Sequence, residues 1–295
     1  MRSLFPDERT TLHCNGLYRS GSTWSFNVCR ALCQLLAGPQ QQLQCGYMTL
    51  PALESLLVHK LAHVKGPVVV KAHELGPCAL ATLRTGHAKA VCTCRDPRDC
   101  VVSDMCFMNH SFDAAVHRIG ASLESLRIFQ SIPNVLLVNY EQMRADPIRQ
   151  IYLIANHLEI HIDESAAHSI NTSTSLENSQ HICDSLKHRP LSSVYQSKST
   201  QHRIDPTTHL HENHINSGTV GRWKRELALD KALCLNDLLA PWLVKLGYET
   251  AESLRSLADA LAAAQHHETA QTSANLQNPI FAMDYAESVS PHLRA

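Results

Sequence analysis

The chain has 295 residues, 44% hydrophobic and 18% charged, and a net charge of −1 with histidine neutral. That length accommodates one large α/β domain or two small ones with ample core, and the composition excludes global disorder. The near-zero charge removes any bulk electrostatic reason to expect nucleic acid or a membrane surface as partner, so an anion site must be a local concentration of basic groups.

Taken in chain order, Thr11–Asn15 reads as a strand and Ser22–Leu36 as a helix. Trp24, Val28, Leu32 and Leu35 recur at helical spacing, and Gly38-Pro39 ends the run. Between them lies Tyr18-Arg19-Ser20-Gly21-Ser22-Thr23-Trp24. A glycine at a strand-to-helix junction turns backbone N–H groups toward one point, faced by the positive end of the helix dipole. With Arg19 and three hydroxyls alongside, this is a phosphate cradle. It is not the nucleoside-triphosphate loop, which carries Lys-Ser/Thr after its last glycine.

Leu50–His63 and Ser122–Phe129 read as helices, and Pro67–His73, Ala88–Cys94 and Val135–Asn139 as short apolar strands. Such alternation implies an α/β fold, a parallel sheet covered on both faces with ligands beyond its carboxyl ends. The Tyr18–Trp24 loop, His73 and Arg95 all fall just past strand ends and are predicted to converge. Ile148–Leu158 and Glu164–Ile170 are helical by pattern. From Asn171 to His214 the chain is rich in Ser, Thr, His and Asn with little periodicity, which predicts a long loop or mobile lid. Asp230–Leu246 returns to an amphipathic helix closed by Gly247, and Leu254–Ala264 reads as another. Residues 1–248 are thus expected to form the main domain, and 249–295 a helical, partly disordered tail.

Eleven cysteines at irregular spacing, among them Cys29, Cys33, Cys92, Cys94 and Cys106 in apparent core elements, read as reduced buried hydrophobes. His181, His188, His202, His209, His211 and His214 invite a metal reading, but no acidic or cysteine partner completes a ligand pattern, and no metal is expected. Neither an apolar segment of secretory length nor a membrane-spanning run is visible, which predicts a cytoplasmic protein.

Four further segments carry chemistry. Lys71 and His73, two apart at a strand end, share a face. Arg95-Asp96-Pro97-Arg98-Asp99 ends a strand and opens a helix, with Asp96 as N-cap, Pro97 as first helical residue and Ser103 two turns on. Asn139-Tyr140-Glu141 ends another strand, and Gly218-Thr-Val-Gly-Arg222-Trp-Lys224 supplies glycines and cations after the polar stretch.

Together these segments resemble the sulfotransferases that use 3′-phosphoadenosine 5′-phosphosulfate (PAPS). Tyr18–Trp24 is similar to that family's Tyr-Pro-Lys-Ser-Gly-Thr-Thr-Trp loop. Arg95 through Ser103 resembles its 3′-phosphate motif, with Arg and Ser eight residues apart as in the family. Lys71-Ala-His73 resembles its Lys-Thr-His, Tyr140-Glu-Gln-Met its Tyr-Glu-Asp-Met, and Gly218–Lys224 its Gly-x-x-Gly-Asp-Trp-Lys closing motif. The resemblance covers residues 10 to 248 and implies a P-loop nucleotide-hydrolase-like sulfotransferase fold, a central parallel sheet flanked by helices.

It also implies roles. Arg19, Ser20, Gly21, Ser22 and Thr23 would hold the 5′-phosphosulfate, Trp24 and Tyr140 would border the adenine, and Arg95 and Ser103 would grip the 3′-phosphate. Gly218, with Arg222 or Lys224, would close over it. His73 would be the catalytic base, with Lys71 and Arg19 neutralising charge on the bridging oxygen and no metal required. The acceptor would be a small or carrier-bound hydroxyl compound, or less readily an amine, in a pocket built from Asn109–Ile119 and Asn171–His214. Glu74 is the alternative base, because some bacterial members use a carboxylate. Three departures stand out: Arg19 replaces the family lysine, Asn216-Ser217 replaces an Arg-Lys pair, and the animal dimer signature is missing, which leaves oligomeric state open. The depleted pair leaves a protein that binds PAPS or its product PAP with weak or lost activity as the alternative. An ATP-dependent kinase is a third reading, opposed by the missing Lys-Ser/Thr.

Overall fold

A computed structural model describes residues 11–38, 43–60, 66–197, 200–215 and 217–256. They fall into two compact units, Met1–Ala228 and Leu229–Ala295. In the first, β1 (Thr11–Gly16), β2 (Gln44–Tyr47), β3 (Val68–Lys71), β4 (Ala88–Cys94) and β5 (Val135–Asn139) form one sheet in the order β2-β3-β1-β4-β5. Every pairing is parallel; Thr11 sits between Val68 of β3 and Ala88 of β4. The chain builds one side of β1 and then crosses to the other, and the reversal leaves a crevice at the carboxyl ends of β1, β3 and β4.

The central strands β1 and β3 are buried on both faces. Leu12, Cys14, Val69, Val91 and Val138 pack against α1 (Ser22–Ala37), α7 (Pro147–His157) and α8 (Glu164–Thr174) through Phe26, Leu32, Ile151, Ile154 and Ala167. On the opposite face Val68 and Val70 meet Leu53 of α2 (Leu50–Ser55), Leu56 of the π-helical turn that continues it, and Ala79 of α3 (Pro77–Arg84). α4 (Pro97–Met108), α5 (Phe112–Phe129) and α6 (Tyr140–Ala145) complete the βα connections. Their starts are written in short polar side chains: Asp96, Ser111 and Asn139 each accept a backbone N–H of the following turn.

The strands lie where the sequence predicts them, within a residue or two, as do the starts of α1 and α4. The expected helix at Ser122–Phe129 begins earlier, at Phe112, and β2 and α3 have no counterpart in the sequence reading. Cys106, expected in the core, is exposed.

The largest correction concerns residues 171–214. Instead of a long loop, α8 runs on to Thr174 and α9 spans Leu176–Leu186 with Ser175 as its cap and Cys183 and Leu186 buried. A short antiparallel pair, β6 (Tyr195–Gln196) and β7 (Arg203–Ile204), follows. Its support comes from hydrogen bonds rather than from an apolar face. Arg203 donates to the carbonyls of Leu186, Lys187 and Arg189 at the end of α9. Asp205 accepts from the amides of Thr207 and Thr208 and from Arg189.

α10 (Trp223–Glu226) ends the first unit; the second contains α11 (Leu229–Lys245), with Gly247 at φ 77° after it. A helical turn continues through residue 256, and the rest of the helix expected to Ala264, with the tail, lies outside the described residues. No helix among the described residues is long and apolar enough to cross a membrane.

Candidate active site

A cavity of about 940 Å³ opens at the carboxyl ends of β1, β3 and β4, near the upper end of the range for small-molecule sites. Its floor is the Tyr18–Trp24 loop. Gly21 there has φ 88°, and a β-carbon on it would come within 3.1 Å of Met143 and Tyr140. Only glycine takes this position without strain. Gly16, one turn earlier, lies so close to Thr93 that a β-carbon would overlap the Thr93 hydroxyl.

Most of the residues singled out in the sequence meet here. Arg19, Gly21, Ser22, Thr23, Trp24, Lys71, His73, Arg95, Ser103, Tyr140, Gly218 and Arg222 all line the cavity. Ser20 does not. Its hydroxyl turns into the core, against the Leu17 carbonyl at 2.7 Å and the Thr93 hydroxyl at 2.6 Å, where it braces the loop. Lys224 is exposed outside the cavity, with its ammonium 5.6 Å from the Trp223 ring. Glu74 is likewise exposed and outside, so it has no access to the chemistry.

His73 is held at the centre of one wall. Its Nδ1 lies 3.2 Å from the Gly16 carbonyl oxygen. A carbonyl only accepts, so Nδ1 carries the proton and Nε2 keeps its lone pair. Nε2 stands 3.5 Å from the Lys71 ammonium, and the Tyr18 ring packs 4.4 Å from the imidazole. Burial, then the Lys71 charge, pushes the His73 pKa well below 6.5. Lys71 is 6% exposed, and burial lowers its pKa to about 8, helped by the charge of Arg19. At neutral pH the pair is therefore a neutral base beside a cation.

Arg95 forms the second anchor. Its guanidinium donates to the carbonyls of Arg19 (3.2 Å) and Thr219 (3.0 Å) and to Asp99 (3.2 Å), and stacks 4.2 Å over the Tyr140 ring. It is 4% exposed, and its Nε–H is buried without a partner among the described residues. An orphaned cationic N–H at this depth is costly, and an anion beside it removes the cost. Tyr140 donates to the Gly218 carbonyl at 3.1 Å, which ties the closing segment to the same anchor.

The closing segment differs from expectation at its cations. Arg222 reaches the cavity, yet both its Nε and its terminal nitrogen bond Glu226 at 2.8 Å, so its charge is neutralised within α10. Ser217 is exposed, and Asn216 lies outside the described residues.

Residue positions 14–247 match the family model described as Sulfotransferase domain. The chain belongs to the sulfotransferase family. No curated protein matches its sequence significantly. Among solved structures it is similar to mouse sulfotransferase SULT7A1 complexed with PAP, with TM-score 0.54 and 16% identity over 86% of this chain and 89% of that one. It also resembles retinol dehydratase in complex with androsterone and inactive cofactor PAP, with TM-score 0.55 and 15% identity over 80% of this chain and 81% of that one. A second retinol dehydratase structure, with retinol and PAP, gives TM-score 0.54 and 14% identity over the same shares. At these identities the likeness establishes a shared sulfotransferase fold.

Several further residues shape this sulfotransferase site without a role assigned to them from the sequence. Asp99 accepts from Arg95 and from the amides of Gly221 (2.7 Å) and Trp223 (3.1 Å), joining α4 to the closing segment. Its i, i+4 spacing from Arg95 at a helix start is the one signal that could have found it. Asp104, fully buried, pairs with Arg118, whose guanidinium lies 3.5 Å over the Tyr18 ring. Nothing in the local sequence links those positions. Of the histidines weighed as metal ligands, His209, His211 and His214 line the cavity, and His202, His211 and His214 pack around Phe107 with ring centres 5.3 to 5.7 Å away. Among the described residues no group of His, Cys, Asp or Glu is arranged to hold a metal ion.

Proposed function

We propose that this sulfotransferase moves a sulfuryl group from PAPS to an acceptor hydroxyl, with His73 as general base. The observation that carries the reading is His73 Nε2, a lone pair beside the Lys71 ammonium, in one cavity with the buried guanidinium of Arg95. Arg95 and Ser103 would meet the 3′-phosphate, and the amides after Gly21, with Ser22, Thr23 and Arg19, the 5′-phosphosulfate. Trp24, Met143 and Leu176 line the part of the cavity suited to a flat base.

In the transfer step His73 Nε2 takes the proton of the acceptor hydroxyl as that oxygen bonds to sulfur. The bond from sulfur to the bridging oxygen breaks, and PAP leaves with the electron pair. Lys71 and Arg19 would neutralise the charge gathering on that oxygen. A hydroxyl acceptor suits the wall better than an amine: among the described residues that line the cavity there are arginines and a lysine but no carboxylate. A protonated amine would find no carboxylate partner in that lining. The site would be a cytoplasmic one, with a small or carrier-bound acceptor.

A protein that binds PAPS or PAP without transfer is the second reading, favoured by Ser217 standing where relatives carry a cation and by the engagement of Arg222 with Glu226. Titration calorimetry separates both from an ATP-dependent enzyme. PAP is expected to bind at least about tenfold more tightly than ATP, because only PAP offers Arg95 a 3′-phosphate. Preference for ATP would remove the sulfotransfer reading of this site.

A further inference from the structure

Arg19 does more in this structure than face the anion loop. It adopts φ 68°, a left-handed conformation that side chains other than glycine rarely take. Its carbonyl accepts from Arg95. Its Nε donates to the Ser103 hydroxyl at 3.1 Å, and a terminal nitrogen donates to the His214 carbonyl at 2.7 Å. Its flat face lies 4.1 Å from the centre of the Phe107 ring. Burial lowers its pKa to about 10, which leaves it charged at neutral pH. One guanidinium from the anion loop thus touches two positions of α4 and residue 214.

Residue 214 lies near the end of a strap, residues 200–215, whose Ile204, Thr208, Leu210 and His211 line the cavity. The strap is fixed elsewhere by other groups. Asp205 caps its turn, Asn27 donates to the Thr208 carbonyl at 2.9 Å, and the Tyr47 amide donates to His209 Nε2 at 3.2 Å. At its far end the His214 and Ile215 amides hydrogen-bond the buried Cys183 sulfur, and Arg19 reaches the His214 carbonyl from the donor site.

We propose that Arg19 is a positioning residue that latches the strap to the donor site, so one side chain sets both the phosphosulfate contact and the roof over the acceptor. The inference rests on the sulfotransfer reading for the words donor and acceptor; the latch itself rests on the contacts alone. It also gives a reason for arginine where the family carries lysine. A guanidinium donates in two divergent directions in one plane while stacking on a ring; a single ammonium does not reach Ser103 Oγ and His214 O together and lie flat on Phe107.

Hydrogen exchange read by mass spectrometry on the full-length protein tests this. In Arg19→Lys the charge is kept and the fork is lost. Exchange across residues 211–215 is expected to rise about tenfold, the scale of one charge-assisted hydrogen bond. Residues 205–209 and β4 are expected to keep wild-type rates, because their own anchors are intact. Phe107→Leu, which removes the platform and leaves the charge, should speed the same segment by a smaller factor. Wild-type rates at 211–215 in both variants would overturn the latch, as would acceleration spread equally over 205–215. PAP added to the wild type separates the two claims. Failure to bind PAP would sink the donor reading, while the exchange rates of the variants would still decide the latch.

Discussion

The two ends of the cavity are built by different means. The end proposed to hold the donor and the base is made of residues at strand termini: Arg19 and Gly21 after β1, His73 after β3, Arg95 after β4 and Tyr140 after β5. A parallel sheet puts those positions together wherever its register is kept, so a short local motif is enough to specify each one. The strap end is held by side chains that reach backbone groups far along the chain, such as Asn27 to Thr208 and Arg203 to Leu186. The lesson is that a polar stretch without periodicity need not be a loop. Its Ser, Asp and Asn residues are the caps and turn ties that replace a packed face.

The largest effect expected from breaking this comparison falls on turnover. His73→Ala should lower transfer by about a hundredfold to ten-thousandfold while PAP affinity holds within about threefold, because the imidazole acts on the acceptor proton. Loss of PAP binding in parallel would show that His73 serves donor binding rather than the acceptor proton. Next, Arg95→Met should weaken PAP by about a hundredfold in calorimetry, since it removes a buried cation that meets the 3′-phosphate. A smaller and opposite split is expected from Asp205→Ala, which uncaps the strap. The acceptor KM should rise about tenfold with PAP affinity unchanged; a change in PAP affinity alone would show that the two ends are not separable.

The pH profile sharpens the same division. His73 has its pKa pushed below 6.5, so it stays a competent base down into mildly acidic solution, and kcat/KM should fall only below that value. Lys71, held at about 8, loses its charge as pH rises through that value, and kcat/KM should decline on the alkaline side. Lys71→Arg should remove the alkaline limb and leave the acid one. The smallest effects belong to residues the fold leaves outside: Glu74→Gln and Lys224→Ala should each change kcat/KM by less than about twofold, the ordinary result for an exposed side chain.

Much of the donor end was legible because its chemistry and its geometry share the same few residues. Asp96 and Pro97 announce the start of α4, and Gly21 announces the turn before α1. What escaped is physical rather than accidental. Ser20 looks like its neighbours in a hydroxyl-rich loop, but only the packed structure shows that Thr93 lies beneath it. Lys224 follows the closing glycines, yet the turn of α10 carries it outward and brings Arg222 inward onto Glu226. Arg118 and Asp104 meet across two helices, a pairing that no local pattern encodes. α9 was hidden because its buried side chains, Cys183 and Leu186, are too few to make a stripe.

The account as a whole stands on transfer from PAPS at this cavity. The most direct measurement incubates wild-type protein with PAPS and a panel of neutral and amine-bearing hydroxyl compounds, and quantifies PAP and sulfated product together. The account predicts PAP and an O-sulfated product in equal amounts, lost in His73→Ala. PAP tightly bound and no sulfated product from any acceptor, or a product formed equally well without His73, would contradict it.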